Sequence, residues 1–276
     1  ALHGWEQRFQ VMEKIGAGGT GQVWRATEAE TGRVVALKIL APHAIGDEQL
    51  LARMEIEANT LLKVRDAGQH PNVVPVIDFH ITESQACLVT EFIPGMDLLR
   101  WTTAQNSPLE DCVQLIAKAA DAAGWFHALG IVHRDLKPAN ILVSAITHEP
   151  VIVDFSIAKL DDTISLTLTN EALGTGPYMA PEQFDSSRGA IAPATDVYAL
   201  GATLYELLTQ VRPHPGSYAQ IIQRHTDEVR PARPSALNPA IPRDLECILL
   251  KALSHRPEDR YPDGRALAQD LEFYLA

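Results

Sequence analysis

A compact group of polar residues lies near the middle of the sequence, at residues 133–140. It combines one carboxylate, one amide and two positive charges, which belong to Asp135, Asn140, Arg134 and Lys137. A helical segment precedes the group and an apolar run follows it, so the sequence predicts a polar loop held between packed elements. A rigid scaffold can present catalytic groups on such a loop. A charge cluster of this kind is by itself more often a solvated turn.

A second motif changes that balance. Asp154-Phe155-Ser156 follows at the end of another apolar run. Together with residues 133–140, this acidic motif resembles the metal-binding segment and catalytic loop of the protein kinases of the eukaryotic type. Lys137-Pro138 resembles the serine/threonine branch of that family. Further motifs of the family follow in its order along nearly the whole chain.

The resemblance implies roles for four side chains. Phosphoryl transfer requires neutralised phosphate charge and an attacking hydroxyl that is held in line, with an acceptor for its proton. We expect Asp135 to accept the proton and orient the nucleophile, and Lys137 to stabilise the phosphoryl group in transfer. Asn140 and Asp154 are expected to hold magnesium ions, for which manganese is the alternative.

The elements before this loop must hold the nucleotide. Residues 9–15 are predicted to form a strand with imperfect alternation, followed by a glycine-rich turn containing Gly16, Gly18 and Gly21. Glycine lets the backbone bend tightly and brings its N–H groups close to phosphate oxygens. Because a strand and not a helix follows Gly21, a dinucleotide-binding fold is disfavoured. The resemblance makes this turn the phosphate-binding loop of a kinase.

Lys38 lies within an apolar strand, where a lysine is unfavourable unless a carboxylate or phosphate meets it. The alternative is a lysine at a strand edge that reaches water. By resemblance, Lys38 contacts the α- and β-phosphates and is tied by a glutamate of the next helix, predicted over residues 47–64. Glu55 and Glu57 compete for that role, and the family's Arg-Phe-x-x-Glu-Ala pattern selects Glu57.

Residues 91–95 resemble the hinge of the family, which binds adenine. Backbone groups of Glu91 and Ile93 would bond the adenine edge, and Thr90 would stand at the back of the pocket. Asp97 has two open roles, a contact with a ribose hydroxyl and a helix N-cap. The apolar side chains expected around the adenine ring are Ile15, Val23, Ala36 and Leu142.

Residues 160–172 are polar, rich in threonine and placed between two kinase motifs, so they resemble an activation loop. An ordinary hydrophilic loop would look the same, but Arg134 favours the first interpretation because a guanidinium there can pair with a phosphate. The candidate phosphorylation sites are Thr163, Ser165, Thr167 and Thr169. Ser156 replaces the family's glycine, which affects how readily this segment changes conformation.

The residues after the activation loop also follow the family. Residues 174–182 resemble its substrate-docking segment, with Thr175 as the docking residue. By resemblance, Asp196 braces the backbone of the catalytic loop. Arg260 resembles the arginine that pairs with a buried glutamate, here Glu182, and such a pair is structural.

Composition bounds the class of protein. The chain has 276 residues, 46% of them hydrophobic, which is enough for one large domain or two joined lobes. Its net charge of −12 disfavours nucleic acid and anionic lipid as partners. No apolar run approaches the roughly 18 residues that a membrane span needs. We therefore expect no nucleic-acid binding and no membrane contact from this segment.

Cysteine and histidine usage gives no sign of a metal centre. The chain has three cysteines, whose spacing fits no compact metal motif, and we interpret them as thiols in a reducing compartment. The ten histidines form no zinc pattern. We expect ordinary core or surface positions for all of them except His133, which should pack against Phe155 rather than act as a base.

The predicted fold is α+β, the bilobal protein-kinase fold, with nucleotide in the cleft between the lobes. A small lobe with an antiparallel β-sheet and one helix (residues 1–90) is followed by the hinge (91–95) and a larger, mainly α-helical lobe (96–276). The proline-dense residues 212–242, which include one amphipathic piece around residues 218–225, are predicted to form a rigid surface loop rather than a linker.

The predicted function is ATP-dependent transfer of the γ-phosphate to Ser and Thr hydroxyls of proteins, with autophosphorylation of the activation loop. The alternative is a pseudokinase that acts as a nucleotide-binding scaffold or interaction domain. The replacement of the family's glycine by Ser156 suggests this alternative. Against it, Lys38, Asp135, Asn140 and Asp154 are all present. A small-molecule kinase is disfavoured, because such an enzyme does not need a docking segment.

The expected partners are protein substrates and ATP. A homodimer is one arrangement that would allow trans-autophosphorylation. We expect a cytoplasmic location, either as a free protein or as the cytosolic domain of a longer, membrane-anchored one.

Overall fold

The computed structural model of the chain describes residues 7–18, 21–40, 60, 62–81, 86–154 and 175–276. These residues fall into two compact units. The first unit lies within Ala1–Gln69 and Val74–Ile93, and the second comprises His70–Val73 and Pro94–Ala276. Within the described residues, no helix is both long enough and apolar enough to cross a bilayer.

The first unit is built on five antiparallel strands. They are β1 (Phe9–Gly18), β2 (Gly21–Glu28), β3 (Val34–Leu40), β4 (Val76–Ile81) and β5 (Ala86–Glu91). Their order in the sheet is β1-β2-β3-β5-β4. Alternate side chains of β3, such as Val35 and Leu37, enter a core that also contains Phe9, Cys87 and Val89. The predicted small antiparallel sheet is therefore present.

The imperfect alternation at the start of β1 has a structural cause. Its pairing with β2 changes register after Val11 and again after Lys14. Each shift changes which face of the sheet the following side chains occupy. The strand continues beyond the predicted end at residue 15 and meets β2 at the pair Gly18 and Gly21.

The second unit contains a small sheet of three antiparallel strands. They are β6 (Gly95–Asp97), β7 (Ile141–Ser144) and β8 (Pro150–Ile152), in that order. Gly95, the last residue of the predicted hinge, is the first residue of this second sheet. A Cβ atom at residue 95 would lie 2.1 Å from the carbonyl oxygen of Val143, so the approach of β6 to β7 requires glycine.

Helices make up most of the second unit, as predicted. They are α1 (Leu98–Gln105), α2 (Leu109–Ala128), α3 (Pro181–Phe184), α4 (Pro193–Thr209), α5 (Tyr218–Thr226), α6 (Pro234–Leu237), α7 (Arg243–Ala252) and α8 (Gly264–Leu275). Nearly every residue of α4 is buried, which is typical of a helix that is apolar on all sides. It begins with proline in its first turn and ends at Gln210, whose φ is 60°.

Helices α2 and α8 pack with their backbones close together. A Cβ atom added to Gly264 would lie 2.3 Å from the carbonyl oxygen of Ala120. One added to Gly124 would lie 2.5 Å from the backbone nitrogen of Arg265. These two glycines therefore set the distance between the helix that leads into residues 133–140 and the last helix of the chain.

The proline-dense residues 212–242 differ from the predicted surface loop. They contain two helices, α5 and α6, and several of their side chains are buried, among them His214, Ile221 and His225. Proline is compatible with the first turn of a helix, where α6 places Pro234. The prediction of a rigid surface loop was wrong for this reason, although the amphipathic piece predicted within it corresponds to α5.

Candidate active site

The backbone of the predicted catalytic loop is held by one buried carboxylate on α4. Asp196 accepts hydrogen bonds from the N–H of His133 at 2.7 Å and from the N–H of Arg134 at 2.8 Å. Arg134 has a φ of 68°, which is unfavourable for a residue with a side chain. Charge-assisted hydrogen bonds from both sides of this position stabilise it. The predicted bracing role of Asp196 is confirmed.

His127 extends this arrangement to the last helix, a role that sequence reasoning missed. Its Nε2 lies 2.9 Å from Asp196 Oδ2, and its Nδ1 accepts the N–H of Gly264 at 3.2 Å. Since Nδ1 accepts, Nε2 carries the proton and donates to the carboxylate. The sequence showed only a histidine near the end of a helix, so no local pattern pointed to this contact.

Asp135 is buried, and two side chains of its own loop hold its carboxylate. Asn140 Nδ2 donates to Asp135 Oδ2 at 3.0 Å and to the carbonyl oxygen of Asp135 at 2.8 Å. Lys137 Nζ donates to the same Oδ2 at 3.0 Å. A single carboxylate oxygen thus accepts from an amide and an ammonium group, which fixes the orientation of the carboxylate.

Lys137 also reaches the predicted docking residue. Its Nζ donates to Thr175 Oγ1 at 2.7 Å, while it remains 3.0 Å from Asp135 Oδ2. The Thr175 residue is 4% exposed, so this contact is shielded from water. One ammonium group therefore joins the catalytic loop to the docking segment, as the expected roles of both require.

The two expected metal ligands lie on neighbouring backbone segments. The N–H of Val153, which precedes Asp154, donates to the carbonyl oxygen of Asn140 at 2.9 Å. The amide nitrogen of Asn140 is used in hydrogen bonds to Asp135, so its amide oxygen is the atom of this side chain that could bind a cation. One carboxylate and one amide oxygen, completed by phosphate and water, suit a hard divalent ion such as magnesium. Asp154 has a φ of 59°.

His133 is fully buried beneath the loop. Burial lowers the pKa of its imidazole, against the opposing effect of nearby carboxylates on Asp196, Asp135 and Asp154. Its ring lies 6.1 Å from that of Phe126, and its Nδ1 accepts the N–H of Asp135 at 3.3 Å. The ring therefore packs near Phe126, while the predicted contact with Phe155 lies outside the described residues and stays a prediction.

The docking segment is attached to the catalytic loop at a second point. Gln183 Nε2 donates to the carbonyl oxygen of Arg134 at 2.8 Å, and Gln183 Oε1 accepts the N–H of Ala180 at 2.9 Å. The hydroxyl of Tyr178 donates to Glu206, and burial raises the pKa of Tyr178. The Gln183 contacts fix α3 against the catalytic loop, and the Tyr178 contact fixes the preceding residues against α4.

The buried pair predicted from the sequence is present. Arg260 binds both carboxylate oxygens of Glu182, with distances of 2.7 and 2.8 Å, and both side chains are fully buried. Thr195 adds a hydrogen bond to Glu182 at 2.9 Å. A bidentate guanidinium and carboxylate pair of this kind fixes geometry as well as charge.

In the first unit, the expected nucleotide-binding residues share one face of the sheet. Lys38 lies opposite Val23, Ala36 lies opposite Thr90, and Gly16 lies opposite Val23. Residues that face each other across antiparallel strands point to the same side, as do residues two apart in one strand. This face is the one opposite the Val35 core. Gly18 and Gly21 close the turn at the end of the same hairpin.

Other expected nucleotide contacts are placed less uniformly. Ile15 is 45% exposed and lies beside the second register shift of β1. The N–H of Glu91 donates to the carbonyl oxygen of Pro75 at 3.0 Å. Ile93 is the last residue of the first unit. In the second unit, Leu142 lies opposite Asp97.

Asp97 takes the N-cap role, one of the two that the sequence left open. Its Oδ1 accepts the N–H of Arg100 at 3.0 Å and caps α1. Its Oδ2 lies 3.3 Å from Arg100 Nε. The remaining expected site residues, Glu57 with its competitor Glu55, Ser156, Thr163, Ser165, Thr167 and Thr169, lie outside the described residues.

Comparison with known proteins agrees with this arrangement. The family described as "Protein kinase domain" matches residues 9–270. A "Probable serine/threonine-protein kinase PknB" of Lactococcus lactis is 35% identical over 268 residues, which cover 96% of this chain and 41% of that protein. The kinase PkaA of Streptomyces coelicolor is 36% identical over 280 residues, covering 96% and 49%. PknE of Mycobacterium bovis is 36% identical over 258 residues, covering 92% and 44%.

A five-stranded antiparallel sheet, a mainly helical second unit and this family match together define a protein kinase domain, so the chain belongs to the protein kinase family. The relatives just described are bacterial serine/threonine kinases, and the predicted family, fold class and enzyme class are confirmed. Members of the family use ATP and a divalent metal ion and act on proteins. The chain spans less than half the length of these relatives.

Proposed function

We propose that the protein containing this domain transfers the γ-phosphate of ATP to serine and threonine hydroxyls of protein substrates. The observation that carries this proposal is the position of the Lys137 ammonium group, in hydrogen-bond contact with both Asp135 and Thr175. It brings a proton acceptor, a positive charge and the docking segment to one point of the second unit.

Asp135 is the proton acceptor in this proposal. Its Oδ2 is fixed by Asn140 and Lys137, so its other carboxylate oxygen is held in a defined direction to receive the proton of a substrate hydroxyl. Lys137 supplies positive charge to the transferring phosphoryl group and stays paired with Asp135 in its absence. Thr175 keeps the Lys137 side chain extended toward the docking segment.

Asn140 and Asp154 would hold the divalent ion, and we propose magnesium, with manganese as a substitute. A bound ion of this type neutralises charge on the phosphates. The hydrogen bond from Val153 to Asn140 keeps the two ligands on adjacent segments. The amide oxygen of Asn140 and the carboxylate of Asp154 are hard oxygen donors, which supports a hard cation.

The first unit would bind the rest of the nucleotide. Gly16, Gly18 and Gly21 would lie along the phosphates, and Lys38, tied by Glu57, would contact the α- and β-phosphates. Apolar contact with the adenine ring would come from Ile15, Val23, Ala36 and, in the second unit, Leu142. Glu91 uses its N–H within the sheet, so its adenine contact would be made by its carbonyl oxygen, while Ile93 would offer its N–H. The ribose contact of Asp97 would compete with its N-cap bond.

Regulation is proposed to run through the activation loop. Phosphorylation of Thr163, Ser165, Thr167 or Thr169 would supply a phosphate that pairs with Arg134, whose backbone is already fixed by Asp196. A transient homodimer would allow one copy to phosphorylate another. We further propose that residues 1–276 are one kinase domain, with a hinge at 91–95, and that it acts in the cytoplasm, free or as part of a longer, membrane-anchored protein.

The test is transfer of radiolabelled phosphate from ATP and Mg²⁺ to a protein substrate and to the protein itself. Asp135→Asn should lower the rate about 10²- to 10⁴-fold, because the proton acceptor is lost. Asp111→Asn, an exposed carboxylate on α2, is the matched control and should leave the rate unchanged. Label should appear on serine or threonine. Equal labelling by Asp135→Asn and the unsubstituted protein would favour the pseudokinase alternative and overturn the proposal.

A further inference from the structure

Three histidines from separate parts of the second unit meet in its interior. We call His214, His225 and His255 the histidine cluster. Ring centroids are 4.6 Å apart for His214 and His225, 5.8 Å for His225 and His255, and 6.5 Å for His214 and His255. His214 is 1% exposed and His225 2% exposed, while His255 is half-buried. No sequence pattern connects these residues.

The histidine cluster packs directly against the docking segment's helix. The His225 ring stacks on Phe184 of α3 at 5.1 Å and meets Tyr198 of α4 edge-on at 6.0 Å. His225 itself belongs to α5, His214 to the loop before α5, and His255 to the turn after α7. The histidine cluster therefore joins α3, α4 and α5 to the loop before α5 and to the turn after α7.

The other end of α5 supports the docking segment near Thr175. Tyr218, the first residue of α5, packs on Met179 and lies 5.7 Å from Phe184, ring to ring. A Cβ atom at Gly176 would lie 3.0 Å from the Tyr218 ring, so this contact is close as well. Helix α5 thus contacts the segment from residue 176 to residue 184 through Tyr218 and through His225.

The cluster accommodates neutral imidazoles only. Within the described residues, three of its ring nitrogens are buried without a hydrogen-bond partner: His214 Nδ1, His225 Nδ1 and His255 Nε2. A neutral ring leaves at most an unused acceptor at such a position. A protonated ring would place a charged N–H there with nothing to accept it, which is strongly unfavourable. In the part of the chain that the structure describes, no group of three or more His, Cys, Asp or Glu side chains could hold a metal ion.

The charges around the histidine cluster also mainly disfavour protonation of its imidazoles. The charged groups that face the histidine cluster from the neighbouring elements are Arg188, Arg224, Arg230, Arg260 and Glu228. Burial lowers the pKa of His214 to about 4 and that of His225 to about 2, with the arginines and the neighbouring imidazoles adding to the effect. Burial also lowers the pKa of His255, against the opposing charge of Glu228.

We propose that the histidine cluster is an acid-sensitive latch, which holds α5, and through α5 the docking segment, only while its imidazoles are neutral. The unfolded or opened chain takes up protons near the ordinary histidine pKa of about 6.5. The packed cluster does not, so its stabilising effect is complete above that pH and is lost as the pH falls below it. Each buried imidazole should lower the ratio of folded to unfolded protein about tenfold between about pH 7.5 and 5.5.

The first experiment measures this ratio by urea unfolding of the whole chain at about pH 7.5 and 5.5. His225→Phe keeps a ring against Phe184 but removes the titrating group, so the drop in the ratio should be about tenfold smaller than in the unsubstituted protein. His148→Asn is the matched control, because His148 is exposed and asparagine tolerates its φ of 59°. That control should show the full drop. A full drop in His225→Phe would overturn the proposal.

A second measurement needs no folded variant. In histidine-labelled, unsubstituted protein, NMR should show that the rings of His214 and His225 stay neutral in the folded state at about pH 5.5. Titration of the His214 and His225 rings near the ordinary histidine pKa of about 6.5, without loss of structure, would overturn the proposal.

Hydrogen exchange tests the link to the docking segment. After correction for intrinsic rates, peptides covering residues 176–184 and 218–226 should open more at about pH 5.5 than at 7.5, and His225→Phe should reduce the difference. Acid opening elsewhere, with these peptides protected, would overturn the latch. An effect on phosphoryl transfer would rest on the proposed function, whereas these three readouts do not depend on it.

Discussion

The ammonium group of Lys137 has two acceptors of different kind. Asp135 Oδ2 is charged and Thr175 Oγ1 is neutral, and both lie within 3.0 Å of Nζ. The carboxylate alone would attract the ammonium group more strongly, but the hydroxyl draws it toward the docking segment. Thr175 therefore determines where the positive charge of Lys137 lies, and a substitution there should change catalysis more than folding.

Thr175→Val removes this acceptor with almost no change in shape. We expect kcat/KM for a protein substrate to fall about 10- to 100-fold, because a hydrogen bond to a charged group contributes about 1.5–3 kcal/mol. The midpoint of urea unfolding should change little. Steady-state kinetics of Thr175→Val and of the unsubstituted protein measures this change. Thr175→Ser keeps the hydroxyl, so this control should retain most of the activity. If valine and serine variants were equally active, Thr175 would have no role in positioning Lys137.

At the scale of elements, the close packing of α2 against α8 positions the backbone of the catalytic loop. Gly264 opens α8 against Ala120, and its N–H also binds His127, which in turn donates to Asp196. The first turn of the last helix is thus connected to the backbone of the catalytic loop through two side chains. Separation of α2 from α8 should be transmitted along this chain of contacts.

Gly264→Ala should destabilise the protein by about 1–3 kcal/mol, because the new methyl group overlaps the carbonyl oxygen of Ala120 and forces the helices apart. Urea unfolding at neutral pH measures the change. Gln269→Ala, on an exposed position of the same helix, should stay within about 0.5 kcal/mol of the unsubstituted protein. Equal stability of both variants would mean that the helices do not approach as described.

At the scale of the whole molecule, Arg260 connects segments that are far apart in sequence. All five of its N–H groups donate hydrogen bonds: two to Glu182, and one each to the carbonyl oxygens of Ala194, Ser254 and His255. These acceptors belong to the docking segment, to α4 and to the turn after α7. The guanidinium group therefore fixes three parts of the second unit in one arrangement.

Arg260→Lys keeps the charge but offers only three donors, so at least two buried acceptors lose their partner. We expect a loss of about 2–4 kcal/mol in the free energy of unfolding. Thermal or urea unfolding gives the value. Arg256→Lys, in the exposed part of the same turn, is the control and should be nearly neutral. A nearly neutral Arg260→Lys would show that charge alone, without the hydrogen-bond geometry, is sufficient.

The parts of the site that follow short motifs were predictable from sequence. Asp135, Lys137 and Asn140 lie within one loop, so their spacing alone brings them together. Asp196 and Arg260 were found because each lies in a recognisable motif, although their partners are distant. Helix α8 also follows a local pattern: its apolar periodicity begins at Gly264, directly after the capping residue Asp263.

The remaining contacts depend on tertiary packing that no local pattern records. His127 meets Gly264 across 137 residues, and the histidine cluster gathers positions 214, 225 and 255. Helix α6 was hidden by prolines that also suit a loop, and the register shifts of β1 obscured its alternation. In each case the deciding interaction joins residues that periodicity treats as independent.

The left-handed backbone at Asp154 limits which residues can replace aspartate at this position without strain. Asparagine occupies that conformation about as readily as aspartate, whereas most other residues resist it. Asp154→Asn would therefore remove the negative charge of the proposed metal ligand while keeping the backbone conformation around it. A protein with this substitution would lose catalysis but keep its fold, and it could still bind a partner protein.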